Sequence, residues 1–341
     1  MPILSLPFSE AKERLRCNRT HSRWWFADNL PADLRALGAA ERLKAPIFAP
    51  LVRPSFRLRP QSRIFTIGSC FAREIEDVML RDGLSVTSNP EVFTGWEPRE
   101  PAALAGTDDH IFRMGFVNKY TIGTMVDELR WGAATIAAED HPAVQEIAPG
   151  RFVDLAAHNI LVGDDEETVR RRRAAMTTLM RGAFEAEVVV VTLGLTEGWR
   201  DSRTDIHLVD AAIALKAEDP DRFTLDVLSH AENLAGLREI AALLDRYGQP
   251  GWRMLLSVSP VPFLASFTGD DVVVANTYSK AVLRAAAEEF TRENDRVDYF
   301  PSYEMAMYSD PALVWESDRR HIRRDFVQTI IGTFRQHYLA G

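Results

Sequence analysis

Two short motifs near opposite ends of the sequence supply the side chains of a nucleophilic catalyst. Ser69 and Cys70 lie in the first motif, at residues 68–72, which follows an apolar run. Asp318 and His321 form the second motif. A hydroxyl or thiol nucleophile, a histidine base and a carboxylate that orients the histidine are the groups that covalent acyl transfer requires. The sequence therefore predicts an enzyme that hydrolyses or transfers acyl groups.

Cys70 is the first candidate nucleophile, because it stands where a predicted strand ends and a helix begins. Backbone N–H groups and the helix dipole at such a position stabilise negative charge, which would lower the pKa of the thiol and supply part of an oxyanion hole. The alternative interpretation of Cys70 is a small buried residue at a tight turn. Ser69 is the competing nucleophile, or else it caps the helix with its hydroxyl.

Asp318 changes the interpretation of His321, which alone would be typical of a structural histidine. A carboxylate three residues earlier can reach the imidazole Nδ1–H, which fixes the tautomer and leaves Nε2 free as a base. Glu197 suits an acid–base group or a substrate anchor, and the alternative is that it supports its loop by hydrogen bonds. Asn276 is interpreted first as a helix N-cap, and the alternative is a residue that contacts the oxyanion or the substrate.

Strands that alternate with amphipathic helices predict the scaffold that positions these residues. The β-branched run at 188–194 is typical of a central strand buried on both faces. Further strands are predicted at 63–69, 84–88, 254–259 and 297–299, and helices at 71–82, 120–138, 164–181, 230–247, 276–293 and 322–338. This order indicates an α/β protein whose parallel sheet is covered by helices on both sides.

The candidate residues should gather at one edge of this sheet, because ligands of open parallel sheets bind beyond the carboxyl ends of the strands. The residues that follow strands or precede the last helix are Ser69, Cys70, Thr196, Glu197, 259–262, 302–304, Asp318 and His321. Residues 1–60 are predicted to form an N-terminal arm that packs on the body through Trp24, Trp25 and Phe26. Residues 61–341 are predicted to form the catalytic domain.

Composition and charge argue against several classes of partner. The chain has 341 residues and a formal net charge of −9, which argues against a nucleic acid or an anionic membrane as the main partner. No apolar run is long enough to predict a membrane span, and the first residues do not resemble a secretory signal. Cys17 and Cys70 are the only cysteines, so we expect a reduced thiol and a cytoplasmic protein. Residue spacing predicts neither a metal site nor a cofactor.

Several segments together resemble the GSCFA family, which is named for the pentapeptide at 68–72. The other matching segments are TLGLTEGW at 192–199, SVSPVP at 257–262, ANTYSKAVLR at 275–284, DYFPSYE at 298–304 and DRRH at 318–321. That family is similar to the SGNH/GDSL hydrolases. The resemblance implies a three-layer α/β/α sandwich of the flavodoxin-like type around a central parallel sheet.

The wider group uses a Gly-Asp-Ser turn for the nucleophile and a late Asp-x-x-His for the orienting acid and the base. Superposing these motifs places Cys70 at the nucleophile, with Asp318 and His321 as direct matches. Two departures follow: the nucleophile is a thiol, and Thr196 occupies the position of an oxyanion-hole Asn. Gly95 is the candidate for the group's second oxyanion residue.

The resemblance implies an esterase- or thioesterase-like hydrolase or an O-acyltransferase that needs no cofactor. Its substrate would be an acylated small molecule or glycan, and an acyl thioester suits a thiol nucleophile because the exchange is nearly energy-neutral. Two alternatives stay open. Ser69 is the nucleophile beside a packed Cys70, or the chain is a non-catalytic module that binds an acyl carrier or a glycan.

Overall fold

A computed structural model describes residues 2–18, 21–88, 117–134, 136, 140–158 and 165–339. The strands are β1 Arg63–Gly68, β2 Ser85–Val86, β3 Val144–Ala148, β4 Arg151–Asp154, β5 Val188–Leu193, β6 Glu197–Asp201, β7 His207–Leu208, β8 Phe223–Val227, β9 Arg253–Val258 and β10 Val297–Tyr299. The helices are α1 Phe8–Cys17, α2 Ala32–Arg35, α3 Ala39–Arg42, α4 Cys70–Arg81, α5 Ile122–Ala133, α6 Glu166–Glu185, α7 Ala212–Lys216, α8 His230–Tyr247, α9 Val272–Glu293, α10 Ser302–Tyr308, α11 Pro311–Val314 and α12 Arg324–Tyr338.

A five-stranded parallel sheet organises the described residues. Its strands lie in the order β10-β9-β5-β1-β2. Numbered by their sequence within the sheet, that order is 2-1-3-4-5, the flavodoxin-like arrangement. The predicted three-layer α/β/α sandwich is therefore confirmed. The direction in which successive strands are added to the sheet reverses between β1 and β5. A ligand is therefore expected beyond the carboxyl ends of these two strands.

Alternate residues of each central strand enter different cores. Phe65, Val189 and Val191 pack against α5, α6, α8 and α9, whereas Val188 and Val190 pack against α4, α10 and α12. Burial on both faces explains why β5 consists of consecutive β-branched residues rather than an alternating pattern.

Part of the N-terminal arm joins the second of these cores. Phe56 and Leu58 are buried there, and the backbone N–H of Leu58 donates to the carbonyl oxygen of Tyr338 at 2.7 Å. The predicted aromatic anchors are wrong for two residues, since Trp24 and Trp25 are 65% and 68% exposed. Hydrophobic residues between Val52 and Leu58 provide the packing instead.

Two small antiparallel sheets extend one side of the sandwich. One pairs β3 with β4, and the other has the order β7-β6-β8. They share a separate core that includes Trp131, Val153 and Phe223. The sequence analysis predicted none of these strands.

No helix in the described ranges has both the length and the apolar character to cross a membrane.

Candidate active site

The turn after β1 requires the glycine found there. Gly68 has a φ of 155°, and a Cβ on it would lie 2.5 Å from the carbonyl oxygen of Thr192. Ser69 follows in an extended conformation, and Cys70 is the first residue of α4. Cys70 therefore stands at the carboxyl end of β1 and at a helix N-terminus, where the sequence analysis placed it.

The surroundings of Cys70 raise the pKa of its thiol. Burial is the largest cause, and it outweighs the lowering effect of the Arg320 guanidinium. Glu74 acts in the same direction as burial, whereas the backbone N–H of Phe71 and the Lys280 amine act against it. The prediction of a lowered thiol pKa is therefore wrong, because loss of water around the sulfur exceeds the help from the helix N-terminus.

Ser69 is the more deeply placed of the two candidates. Its residue is 3% exposed, and its Oγ has no hydrogen-bond partner among the described residues. The hydroxyl does not cap α4, so the capping interpretation is wrong. No base within the described ranges forms a hydrogen bond with the Ser69 hydroxyl either.

Asp318 and His321 form the orienting pair that the sequence motif suggested. His321 Nδ1 lies 2.5 Å from Asp318 Oδ2. Asp318 Oδ1 accepts the backbone N–H groups of His321 at 3.0 Å and Arg320 at 2.9 Å. These hydrogen bonds hold the pKa of the Asp318 carboxyl below its ordinary value. The carboxylate is thus ionised and fixes the imidazole with Nδ1–H toward it.

Arg320 occupies the other nitrogen of the imidazole. Its Nη1 lies 3.1 Å from His321 Nε2, and since a guanidinium can only donate, Nε2 is the acceptor. His321 is 55% exposed, and within the described part of the chain no hydrogen bond joins it to Cys70. The structure therefore brings Asp318 and His321 together but does not place the predicted base on the predicted nucleophile.

Lys280 is a site residue that the sequence analysis missed. It is 1% exposed, and its Nζ donates to the carbonyl oxygens of Gly194 at 2.7 Å and Val261 at 2.8 Å. Burial lowers the pKa of this amine to about 7, with the Cys70 charge opposing the change and Arg320 adding to it. The only sequence signal is its position in the segment 275–284, where the lysine follows a run of polar residues.

The loop after β5 lies against the turn at 68–70, which holds the two candidate nucleophiles. A Cβ on Gly194 would lie 2.6 Å from the carbonyl oxygen of Tyr120 and 3.3 Å from the Cβ of Ser69. The backbone N–H of Thr196 donates to Ser279 Oγ at 3.0 Å, while Thr196 Oγ1 is buried with no partner among the described residues. Thr196 can therefore offer a hydroxyl, rather than its backbone N–H, to a ligand.

Glu197 and Asn276 both hold the segment 259–271. Glu197 accepts hydrogen bonds from Ser266 Oγ at 2.6 Å and from the backbone N–H of Phe267 at 3.0 Å. These contacts support the loop at 266–267 rather than the loop of Glu197 itself, and the acid–base or substrate role of Glu197 stays a prediction. Asn276 Oδ1 accepts the backbone N–H of Phe263 at 3.3 Å.

The N-cap interpretation of Asn276 is wrong. Helix α9 begins four residues earlier, at Val272, and Asp271 caps it by accepting the backbone N–H of Val273 at 2.8 Å. Gly95, the candidate second oxyanion residue, lies outside the described residues.

Residues 118–120 line the turn from the other side, and no motif in the sequence marked them. The backbone N–H of Lys119 donates to the carbonyl oxygen of Gly68 at 2.7 Å. Asn118 Nδ2 lies 3.3 Å from the Tyr120 hydroxyl, and burial, followed by the charge on Cys70, raises the pKa of Tyr120. Within the described ranges, no three His, Cys, Asp or Glu side chains gather as a metal site.

The comparisons with known proteins agree with the motifs. The model of the GSCFA family matches residues 63–334, which run from the first residue of β1 into α12 and include every candidate residue. No curated protein matches the chain.

Proposed function

This chain belongs to the GSCFA family, and we propose that it is an acyl-transfer enzyme with Cys70 as its nucleophile. One observation carries the proposal. The Cys70 thiol lies at the N-terminus of α4, at the point where the strand order reverses. The positive charge of Arg320, and that of Lys280 when it is protonated, lowers the pKa of this thiol against the effect of burial. Positive charge at that position favours a thiolate and the oxyanion of a tetrahedral intermediate.

The reaction proceeds in two acyl transfers. The thiol loses its proton and the thiolate attacks the acyl carbonyl carbon, giving a tetrahedral oxyanion. This collapses to an acyl-cysteine thioester, and the leaving group departs with a proton. Water or an acceptor hydroxyl then attacks the thioester and loses a proton, which restores the Cys70 thiol. Attack by water is hydrolysis, and attack by an acceptor hydroxyl is O-acyl transfer.

The Asp318–His321 pair serves as the acid–base group of these steps. With Nδ1–H donated to Asp318, Nε2 has the lone pair that can take a proton from water or from the acceptor hydroxyl. Arg320 must release Nε2 before this can happen, so substrate binding has to move the guanidinium. The backbone N–H of Cys70, at a helix N-terminus, and the Thr196 hydroxyl are the oxyanion donors that the site offers.

The substrate we propose is an acylated small molecule or glycan, with an acyl thioester as the donor that best suits a thiol. A reducing compartment, the cytoplasm, would keep Cys70 in its free form. The alternative function is a binding module that takes an acyl carrier or a glycan without turnover. The raised pKa of the Cys70 thiol and the contact between Arg320 and His321 Nε2 favour that alternative.

Turnover of a panel of acyl thioesters and esters by Cys70→Ala tests the proposal. We expect the wild type to turn over at least one short-chain thioester, and Cys70→Ala to lower kcat/KM about a thousandfold or more. Cys17→Ala is the matched control, since it removes an exposed thiol on α1, and it should retain wild-type turnover. Activity that survives in Cys70→Ala would transfer the nucleophile role to Ser69, and binding of the panel without turnover would establish the binding module.

A further inference from the structure

We propose that Lys280 exchanges a proton with Cys70 and thereby sets the reactivity of the thiol. This inference rests on the proposed role of Cys70 as the nucleophile. It assigns to the buried amine the step that the sequence motifs assign to His321.

The backbone fixes the Lys280 amine at the catalytic edge of the sheet. Its two acceptors, the carbonyl oxygens of Gly194 and Val261, belong to the loops that follow β5 and β9. Gly194 itself adjoins the turn at 68–70, as a Cβ on it would lie 3.3 Å from the Cβ of Ser69. Residue 279, next to the lysine, ties the same loop through the Thr196 backbone. The amine therefore has a defined position close to the start of α4.

The two hydrogen-bond acceptors of the Lys280 amine explain why it can change its charge. A neutral amine has two N–H groups and one lone pair, and the two carbonyl oxygens use both N–H groups. An ammonium has a third N–H, and no third acceptor for Nζ is present among the described residues. A thiolate would supply that acceptor. The same lysine geometry thus accommodates a neutral amine beside a thiol and an ammonium beside a thiolate.

Among the charged groups of the described residues that act on Lys280, Cys70 is the one that favours the ammonium. They are Cys70 from α4, which favours the ammonium, and Arg320 from the segment before α12, which disfavours it. No carboxylate in the described part of the chain forms an ion pair with Lys280. Because burial brings the pKa of the amine to about 7, both of its forms are populated near neutral pH.

His321 is less well placed to serve the thiol. Its Nε2 accepts from Arg320, and its ring is largely exposed, whereas Cys70 is half-buried. Lys280, by contrast, is buried beside the loop that adjoins the turn of Cys70, and its charge lowers the pKa of the thiol. Two bases would therefore act in the reaction. Lys280 takes the proton of the Cys70 thiol, and His321 takes the proton of water or of the acceptor hydroxyl.

The proton exchange balances within the pair. The Sγ–H bond breaks, its proton moves to the Nζ lone pair directly or through one water, and thiolate and ammonium form without a change in net charge. Two groups coupled in this way lose their protons in two steps that belong to the pair. The first step yields a mixture of thiol–amine and thiolate–ammonium, and the second yields thiolate beside neutral amine. A thiolate fraction is therefore present after the first step.

The pH dependence of Cys70 alkylation tests the inference without a substrate. We would measure the rate of labelling by iodoacetamide, a neutral reagent, at each pH by mass spectrometry, with the exposed Cys17 as the internal reference. The wild type should show two steps in the Cys70 labelling rate, the lower one with a midpoint near 7. Lys280→Met should abolish the lower step and reduce labelling at pH 8 by about tenfold, the factor that corresponds to one pKa unit.

Two further variants keep the test decisive. Lys280→Arg retains a cation that does not titrate in this range, so it should give a single step at a lower pH than Lys280→Met does. His321→Asn should keep the lower step. A wild type with a single step, or a Lys280→Met profile that matches the wild type, overturns the inference. Loss of the lower step in His321→Asn alone would return the role to His321.

The outcome is separable from that of the proposed function. If Cys70→Ala abolishes turnover but the two-step profile is absent, only the role of Lys280 fails. If Cys70→Ala retains turnover, Cys70 is not the nucleophile, whatever its labelling profile shows.

Discussion

Two buried lysines differ in the groups that surround their amines. Lys119 and Lys280 are 0% and 1% exposed. Lys119 Nζ lies 2.7 Å from Glu128 Oε1 and also donates to a backbone carbonyl. Within the described part of the chain, the acceptors of Lys280 Nζ are two backbone carbonyl oxygens. Burial lowers the pKa of both amines, but a carboxylate opposes the change at Lys119 and only a thiol opposes it at Lys280.

The surroundings of Lys119 form a compensated ion cluster, which we define as Lys119, Glu128, Asp154 and Arg173. Arg173 donates to both carboxylate oxygens of Glu128, at 3.0 and 2.5 Å, and its Nη1 lies 3.4 Å from Asp154 Oδ2. Burial alone would raise the pKa of Glu128, but Arg173 and Lys119 outweigh it and bring the value to about 2. Glu128 and Arg173 thus keep their charges, whereas burial raises the pKa of Asp154. The cluster connects α5, α6 and β4.

The difference distinguishes a buried charge that stabilises the fold from a buried group that can change its protonation state. A buried charge that has its counter-ions holds one protonation state and constrains how elements pack. A buried amine without a counter-ion stays close to a change of state, as the groups of active sites do. The ion cluster and Lys280 should therefore respond differently to substitution.

Removing the central carboxylate of the ion cluster should have the largest effect on stability. Glu128→Gln leaves Lys119 and Arg173 without their main anion, and we expect a loss of about 3–5 kcal/mol in the free energy of unfolding. Urea titration followed by circular dichroism measures this loss. Glu239→Gln is the matched control, because Glu239 pairs with Arg130 of the same helix α5 at a partly exposed site and should cost less than about 1 kcal/mol. Equal losses in the two variants would contradict the prediction that the buried ion cluster stabilises the fold more than a partly exposed ion pair does.

A smaller effect should appear in the pH dependence of stability. The folded-state pKa of Lys280, about 7, lies below the ordinary value of 10.5, so the unfolded chain binds more protons between these values. The free energy of unfolding should therefore rise with pH above 7. This contribution of Lys280 is lost as the pH falls toward 7. Lys280→Met should remove a rise on the order of 2 kcal/mol between pH 7 and 9.

Urea titrations at pH 7 and pH 9 measure that rise. Lys44→Met is the control, since Lys44 is exposed and pairs with Glu41; this variant should keep the wild-type difference between the two pH values. A rise that persists in Lys280→Met would show that the amine is not the group that titrates.

The scaffold was predictable because its signals are local. The β-branched run of β5 and the capped start of α8 specify a buried strand and a helix by themselves, and the predicted helix 230–247 matches α8 at both ends. Strands β6, β7 and β8 were missed because they have two to five residues. Such short strands depend on cross-strand pairing rather than on a periodic pattern.

The site was predictable only where a motif fixes its geometry. Asp318 and His321 are close in the chain, so their contact follows from spacing. The intervening Arg320 counts as a spacer in that pattern, yet it binds Nε2 and acts on Cys70. Lys280 could not be found from sequence, because the burial of a lysine depends on which loops cover it, here those after β5 and β9.

The smallest effect on stability should come from the exposed Asp318–His321 pair. Asp318→Asn replaces a carboxylate in contact with solvent, so the urea midpoint should stay at the wild-type value. Turnover should nevertheless fall about a hundredfold, because an amide can present its NH2 group to Nδ1 and no longer hold Nδ1–H in place. Cys70 labelling should keep both of its steps, since Lys280 and not His321 serves the thiol.

Asp165→Asn is the control for this last variant. Asp165 is also an exposed aspartate that accepts a backbone N–H, that of Thr168 at 2.9 Å at the start of α6, and its replacement should leave turnover unchanged. A stability loss in Asp318→Asn comparable to that of Glu128→Gln would mean that the pair is structural, like the ion cluster. Wild-type turnover in Asp318→Asn would remove the pair from the acyl-transfer steps. The expected combination, normal stability with lost turnover, would show that the Asp318–His321 pair takes part in the reaction, as we propose for Lys280, and does not stabilise the fold.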